Sequence, residues 1–370
     1  MGVNKESYFR GCNFGRGVIL VLAAYIFCAS CKNGDSAPDV SNIKINLQTR
    51  RFDKDLYSLN VQHLGAGLNK LKEKYPDFLD YYLDTLMAYG IHGNYSDTAA
   101  GIQRNPKDTL RPSLHNDLTF KDFTNLEDTI LKHYPDNKDL DQELAKAFAN
   151  AKYYLPDFAV PNIIYVNMAL SKWATFPLDK KTLCIGLDMF LGDQFPYYRS
   201  VGVPSYMDAH FRRSYLPVSV FSTLYQTIHP FADEDKTLLD LMIQRGKEQY
   251  FLHKVLPGTS DSVLFGFTTQ QLKWCGENEA TIYNFFIHQN LLYSRVGHNI
   301  TPYIKDGPFA KDMESPSDPV KYTPGNVGTW LGYRIVCAWM QQNPTTNLAT
   351  LLSQPIDAQS FLDKAQYRPK

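Results

Sequence analysis

The chain has 370 residues, with 38 basic and 38 acidic side chains and a formal net charge of zero. Nucleic-acid binding favours a basic surplus, so this balance argues against a nucleic-acid partner. The length allows one large domain or two smaller ones.

The first thirty residues differ from everything after them. A basic leader precedes an apolar run of 12 residues, Val18 to Ala29. Such a run is short for a membrane span but fits the apolar core of a signal peptide. Small residues then lead into Cys31, as in the lipobox of bacterial lipoproteins. We therefore predict a lipoprotein signal peptide over residues 1–30 with lipidation at Cys31; an ordinary secretory signal and a short membrane anchor are the alternatives.

A polar stretch, KNGDSAPDVS, directly follows Cys31. Its composition is typical of a flexible linker, so residues 31–41 are predicted to be a lipidated tether. Residues 42–370 are predicted to form one α-rich globular domain. Within it, Cys184 and Cys337 lie in apolar runs and are predicted to be buried.

Hydrophobic periodicity predicts a domain with many helices and a small sheet. Long polar loops are expected over residues 90–118 and 306–324. This order of elements indicates the α+β class. Strands are predicted over Ile43–Asn46, Asn162–Met168 and Thr182–Met189, the last two as neighbours. Helices are predicted over Leu64–Leu86, Phe120–Leu131, Leu140–Leu155, Tyr206–Ser214, Val218–His229, Thr237–Leu256, Thr269–Leu292, Gly325–Met340 and Asp357–Lys364.

The helix predicted over Thr237–Leu256 carries a glycine in the middle of its apolar face. A mid-helix glycine costs about 0.5–1 kcal/mol relative to alanine, so we expect another backbone to pack against Gly246. Gly328 and Gly332, four residues apart on a later helix, likewise predict close helix packing. The predicted face is formed by Leu239, Met242, Ile243, Gly246, Tyr250 and His253.

Metal and nucleophile motifs are missing from the sequence. None of the nine histidines belongs to an HExxH motif or pairs with another at i+4, and no GxSxG, GxGxxG or phosphate-binding loop occurs. Asp188, at a strand end, could place a carboxylate in a site, but we favour a cap on the turn at Leu191-Gly192-Asp193. The pair Arg212-Arg213 is interpreted as a solvated surface rather than an anion site.

Several blocks together resemble a known family. They are Arg51-Phe52-Asp53, Gly186-Leu187-Asp188-Met189, the stretch LDLMIQRGKEQY from Leu239 to Tyr250, Trp274-Cys275, Gly328 to Met340, and Tyr367-Arg368-Pro369. With the lipobox, these blocks resemble the GldB family of gliding-motility lipoproteins of Bacteroidetes, over nearly the whole mature chain. The resemblance implies a periplasm-facing lipoprotein of the cell envelope, with the outer membrane favoured over the inner and protein partners in the motility and secretion machinery.

That family is in turn distantly similar to predicted zinc-dependent peptidases with a zincin-like fold, whose first helix carries HExxH. The matching stretch here, VSVFSTLYQTI from Val218, has no His and no Glu, and Arg245 stands where the peptidases have a glutamate. The resemblance thus implies a degenerate zincin-like domain in which Gly246 is a packing glycine. We expect no catalytic residue, no metal and no cofactor; a metallopeptidase with a non-standard ligand set and a glycan-binding surface lipoprotein are the alternatives.

Overall fold

The computed structural model describes residues 37–93, 95–102, 113–170, 174–313, 323–355 and 357–370. The predicted signal peptide, Cys31 and the first part of the tether lie outside the described residues, as do parts of the two long predicted loops. Residues 39–370 form one unit. It combines many helices with one four-stranded sheet, which confirms the predicted α+β class and single domain.

The sheet is mixed, with the strand order β1-β2-β4-β3. Its strands are β1 Thr49–Arg51, β2 Asn162–Val166, β3 Thr175–Asp179 and β4 Thr182–Gly186. β2 pairs in parallel with both β1 and β4, so the two strands predicted as neighbours are neighbours. β3 is an edge strand, antiparallel to β4.

Both faces of the sheet are covered by helices, which explains why its central strands are buried at every position after the first. Ile164, Val166 and Cys184 face a cluster made with the amino-terminal helices. Ile163 and Ile185 face the larger cluster, made with the helices from residue 121 onward. The helices of the described chain are α1 Phe52–Tyr57, α2 Leu64–Lys74, α3 Phe78–Asp80, α4 Leu114–Thr119, α5 Lys121–His133, α6 Lys138–Tyr154, α7 Tyr197–Ser200, α8 Leu216–Ile228, α9 Leu238–Val255, α10 Asp261–Phe265, α11 Thr269–Glu277, α12 Glu279–His288, α13 Gly297–Ile300, α14 Val327–Gln342, α15 Leu348–Ser353 and α16 Ala358–Ala365.

Several predicted boundaries were wrong at prolines. The helix predicted over residues 64–86 is interrupted at Pro76, because proline disfavours the helical conformation of the residue before it; it resumes as α3 and continues as the π-helix Tyr81–Leu86. β3 was not predicted, because residues 175–179 were expected to lie in a polar connection between the two predicted strands; its Pro177 is tolerated since β3 is an edge strand. Pro217 does not split a helix but lies in the first turn of α8, where its missing N–H costs nothing.

Three further predictions need correction. Residues 43–46 form no strand; pairing with β2 begins where the Ile163 N–H donates to the Gln48 carbonyl. The helix predicted over residues 206–214 consists of two 3₁₀ segments, Ser205–Phe211 and Arg213–Tyr215. The helix predicted over residues 269–292 is divided at Asn278 into α11 and α12.

α9 begins with a capping box and holds a buried lysine. The Thr237 hydroxyl accepts from the Asp240 N–H, while the Asp240 carboxylate accepts from the Thr237 N–H, so two free donors at the helix start are satisfied. Lys247 is buried, and its Nζ donates to the Gln354 carbonyl at 2.9 Å and lies over the Phe361 ring. Burial lowers its pKa to about 8. This contact attaches the carboxy-terminal helices to α9.

Candidate functional site

The helices α9 and α14 cross at glycines. A Cβ at Gly246 would lie 2.8 Å from the Tyr333 backbone nitrogen and closer still to the carbonyl of Gly332. A Cβ at Gly332 would collide with the Met242 carbonyl. Glycine at both positions therefore lets the two helix backbones touch.

Gly328 of α14 does not pack against α9, and the last residues of the predicted α9 face are only half-buried. A Cβ at Gly328 would lie 2.6 Å from the Tyr303 carbonyl, so this glycine packs against the short helical turn before residue 304 rather than against α9. On α9, Tyr250 and His253 are half-buried. The His253 ring stacks on Tyr333 of α14, with 4.3 Å between ring centres.

Three polar side chains meet where α8 packs beside α9. Ser222 and Gln226 lie four residues apart and therefore on one face of α8. Glu248 of α9 accepts hydrogen bonds from the Ser222 hydroxyl and, at 3.0 Å, from Gln226 Nε2. Gln226 Nε2 also lies 3.2 Å from Ser222 Oγ. An i,i+4 pair on one helix with a carboxylate from a second helix also occurs in His-His-Glu zinc sites.

The carboxylate in this arrangement comes from Glu248, one turn after the position that the sequence comparison indicated. Arg245, which stands at the compared position, instead forms ion pairs with Glu248 at 3.3 Å and with Asp233 at 3.8 Å. Glu248 is buried, with its side chain 6% exposed. Its oxygens are thus occupied by one hydroxyl, one amide and one guanidinium.

A second polar cluster lies where the three parallel strands end. Asp53 follows β1, Asn167 follows β2 and Asp188 follows β4, and all three side chains are buried. The carboxyl ends of parallel strands form the edge at which open α/β sheets place their ligands. Glu127 of α5 joins this cluster and accepts a hydrogen bond from Asn167 Nδ2 at 3.0 Å. Of the four residues, sequence reasoning had considered only Asp188; the missed signal is a polar residue within two positions of the end of each strand.

Asp188 does not cap the turn at Leu191-Gly192-Asp193, which corrects our interpretation. Its carboxylate accepts from the backbone N–H groups of Met168, at 3.1 Å, and Leu170, at 2.7 Å. These residues belong to the loop after β2, where Ala169 and Leu170 have φ of 50° and 58°. Non-glycine residues rarely adopt this left-handed conformation, so the buried carboxylate holds a strained loop in place.

Burial raises the pKa of two carboxyl groups in this cluster. The pKa of Glu127 is raised to about 7, chiefly by loss of solvent and then by the charge of Asp53. The pKa of Asp188 is also raised to about 7 by burial, against the opposing effect of its backbone hydrogen bonds. The Asp53 carboxylate accepts from Arg51 Nε, which lies 2.9 and 3.0 Å from its two oxygens, and from Arg51 Nη2 at 2.5 Å. The buried Glu127 Oε1 has no hydrogen-bond partner within the described part of the chain.

The arginine pair and the cysteines singled out in the sequence lie outside both polar clusters. Arg212 pairs with Asp193, and Arg213 with Glu143, both at 2.7 Å and partly exposed. Cys184 is buried and Cys337 is half-buried; both are free thiols. Among the described residues, no group of three or more His, Cys, Asp or Glu side chains is placed to hold a metal ion.

Taken together, the fold and the polar clusters define an α-rich α+β protein with a small mixed sheet and a glycine-packed helix pair. No described helix is both long and apolar enough to cross a bilayer. The profile of the family described as gliding motility protein GldB matches residues 33–369, and the chain belongs to this family. It is thus a lipoprotein related to gliding motility, which points to an envelope location. Comparison with curated proteins and with solved structures gives no significant match.

Proposed function

We propose that this protein is a lipid-anchored, non-catalytic component of the gliding-motility machinery and of the protein secretion associated with it. The observation that carries the proposal is the family match over residues 33–369. In this proposal residues 1–30 are removed as a signal peptide, Cys31 carries the lipid, and residues 31–41 tether the domain. The domain faces the periplasm, from the outer rather than the inner membrane, and contacts protein partners of the machinery.

Stable attachment to the membrane through Cys31 requires several acyl chains on this residue. Each buried CH₂ contributes about 0.8 kcal/mol, and a single chain gives only weak, reversible membrane binding. Bacterial lipoproteins carry more than one chain on this cysteine. The anchor then holds the domain without any membrane-spanning helix.

Replacement of Cys31 by alanine tests the anchor. We expect the Cys31→Ala protein to move from the membrane fraction to the soluble fraction, because the site of acylation is lost. The matched control is Cys12→Ala, which changes a cysteine of the same leader and should leave the protein in membranes. A Cys31→Ala protein that remains wholly in the membrane fraction would show either that Cys31 carries no lipid anchor or that another anchor exists.

The hydrogen-bonded group of Ser222, Gln226 and Glu248 supports the non-catalytic, degenerate zincin-like part of the proposal. Activation of a water by zinc requires ligands that bind the metal and leave one position open. Here a serine and an amide stand at the i,i+4 positions, and Arg245 places a positive charge beside the carboxylate. A guanidinium at this distance repels a divalent cation.

The same geometry predicts that zinc binding can be built into the protein. The double variant Ser222→His/Gln226→His should retain roughly one zinc per chain after dialysis, because two imidazoles would then face Glu248. The wild-type protein should retain none. Elemental analysis of purified residues 32–370, shown to be folded by circular dichroism, provides the measurement.

The control is the same double variant with Glu248→Ala, in which zinc binding should be lost or strongly weakened. Zinc in the wild-type protein would overturn the non-catalytic proposal and favour the metallopeptidase alternative. A folded double variant without zinc would contradict the zincin-like arrangement, while leaving the family assignment untouched.

The glycan-binding alternative depends on exposed aromatic rings. Trp330 and Trp339 are buried and Trp274 is half-buried, while Trp173 lies outside the described residues. The exposed large aromatic side chains of the described chain are therefore tyrosines and one phenylalanine. We do not propose glycan binding on this basis.

A further inference from the structure

A polar cavity lies between the outer face of α14 and the carboxy-terminal segment that follows α16. Its volume is about 210 Å³. α14 contributes Arg334, Gln341 and Gln342 to its lining, and the carboxy-terminal segment contributes Arg368 and Lys370. The cavity is distinct from the Ser222-Gln226-Glu248 group and from the carboxylates at the strand ends.

Arg334 is held rigidly at one wall of the cavity. Its Nε donates to Glu279 Oε1 at 3.1 Å and its Nη2 donates to Glu279 Oε2 at 3.2 Å. The Tyr367 hydroxyl donates to the same Glu279 Oε1 at 2.6 Å. The face of the guanidinium lies 6.0 Å from the centre of the Trp330 ring. The buried carboxylate thus accepts three hydrogen bonds, and the guanidinium is fixed in one orientation.

The fixed guanidinium still has donors to offer. Arginine has five N–H groups, and Glu279 engages only the Nε and Nη2 side. The Arg334 side chain is 37% exposed, so its remaining Nη edge is accessible. A guanidinium edge of this kind matches the paired oxygens of a carboxylate or phosphate.

Two further cations, Arg368 and Lys370, line the cavity. Within the described residues, the side chains of Arg368 and Lys370 have neither a hydrogen bond nor an ion pair. The charged side chains of the lining are three cations and one carboxylate, Glu279, and the α-carboxyl group of Lys370 adds a second negative charge. The amides of Gln341 and Gln342 add neutral donors, whereas alanine supplies the apolar lining.

We propose that this cavity binds a phosphate group, with Arg334, Arg368 and Lys370 as its ligands. A phosphate group has several oxygens. Two of them can accept from the paired N–H groups of one arginine, while the others accept from cations on other sides of the cavity. The apolar part of the lining consists of small side chains, which is too little for an acyl chain or a large side chain, so the bound part is the charged group alone. A free phosphate ester and the headgroup of an anionic phospholipid share this chemistry. The inference does not depend on the gliding-motility proposal.

The test uses residues 32–370, which lack both the acylated cysteine and the apolar run Val18–Ala29, so that neither binds vesicles. Isothermal titration calorimetry with inorganic phosphate and with glycerol 3-phosphate, at low ionic strength, measures the soluble ligands. Flotation with phosphatidylglycerol vesicles, compared with phosphatidylcholine vesicles, measures the lipid headgroup. Arg368→Ala/Lys370→Ala is the test variant, because both side chains are exposed and their removal should not disturb the fold. Lys364→Ala, an exposed cation of α16 outside the cavity lining, is the matched control.

We expect saturable binding that the double variant weakens at least 10-fold and the Lys364→Ala control leaves unchanged. Binding to soluble phosphate but not to vesicles assigns a free phosphate ester as the ligand. Binding to phosphatidylglycerol vesicles that is lost in the double variant assigns a lipid headgroup. Absence of saturable binding to every probe, or equal weakening by Lys364→Ala and the double variant, would overturn the proposal.

Discussion

Gly332→Ala should lower the free energy of unfolding by about 3 kcal/mol, at the upper end of what overpacking usually costs. The added methyl group would overlap the Met242 carbonyl, which is helix backbone and cannot rotate away as a side chain would. The helices α9 and α14 would have to separate, which would also disturb the packing around Gly246. Chemical denaturation followed by circular dichroism measures the change in unfolding free energy.

The control for this substitution is a glycine of the same chain with open space around it. Gly276 lies in α11, and a Cβ there would have no neighbour within 4 Å. Gly276→Ala should therefore stabilise the protein by about 0.5–1 kcal/mol through helix propensity alone. If Gly332→Ala proved as stable as the wild-type protein, the two helix backbones could not be in contact as described.

Glu127→Gln should stabilise the protein above neutral pH and make its stability less dependent on pH. The raised pKa of Glu127, about 7 against an ordinary 4.5, means that the folded state keeps a proton that the unfolded chain has lost. Stability from this group is present in acid and falls as the pH rises from about 4.5 to 7. Glutamine keeps an oxygen acceptor for Asn167 and has no charge to bury.

The expected gain is about 3 kcal/mol at pH 8, since the pKa rises from 4.5 to about 7 and each unit corresponds to about 1.4 kcal/mol. It should shrink toward zero near pH 4, where the glutamate is protonated in both states. Urea denaturation at pH 4, 6 and 8 measures the difference between variant and wild type. Asp128→Asn, an exposed neighbour on α5, should show no such pH-dependent gain. A constant difference between Glu127→Gln and wild type at all three pH values would show that Glu127 does not titrate as a buried acid.

Local patterns predicted most of the helices but not the breaks set by particular residues. The long α9 was predictable because its apolar residues recur with helical spacing and Thr237 begins it with a cap. The central strands were predictable from apolar runs without polar alternation. Pro76 and Pro177 were harder to interpret, because the same residue ends a helix in one context and sits in an edge strand in another.

The polar clusters could not be predicted as clusters, because their members are far apart in the sequence. Asp53, Glu127 and Asp188 come together only through the strand order, which the sequence does not state. For Glu248, the family comparison directed attention to Arg245, three residues earlier, and only the geometry identifies which side chain reaches α8. Gly246 was recognisable as a close-packing position, but its partner Gly332 lies on a helix far along the chain.

The connectivity of the sheet also determines the order in which this protein can fold. β1 has no partner until β2, more than a hundred residues later, and the amino-terminal helices need Ile164, Val166 and Cys184 to complete their core. α9 likewise lacks its packing partner until α14 has been made. Contacts between such distant segments form slowly because closing a long loop costs chain entropy. A chain that emerges from the amino terminus therefore exposes apolar helix faces until β4 has emerged, and exposed apolar faces of this kind favour aggregation during that interval.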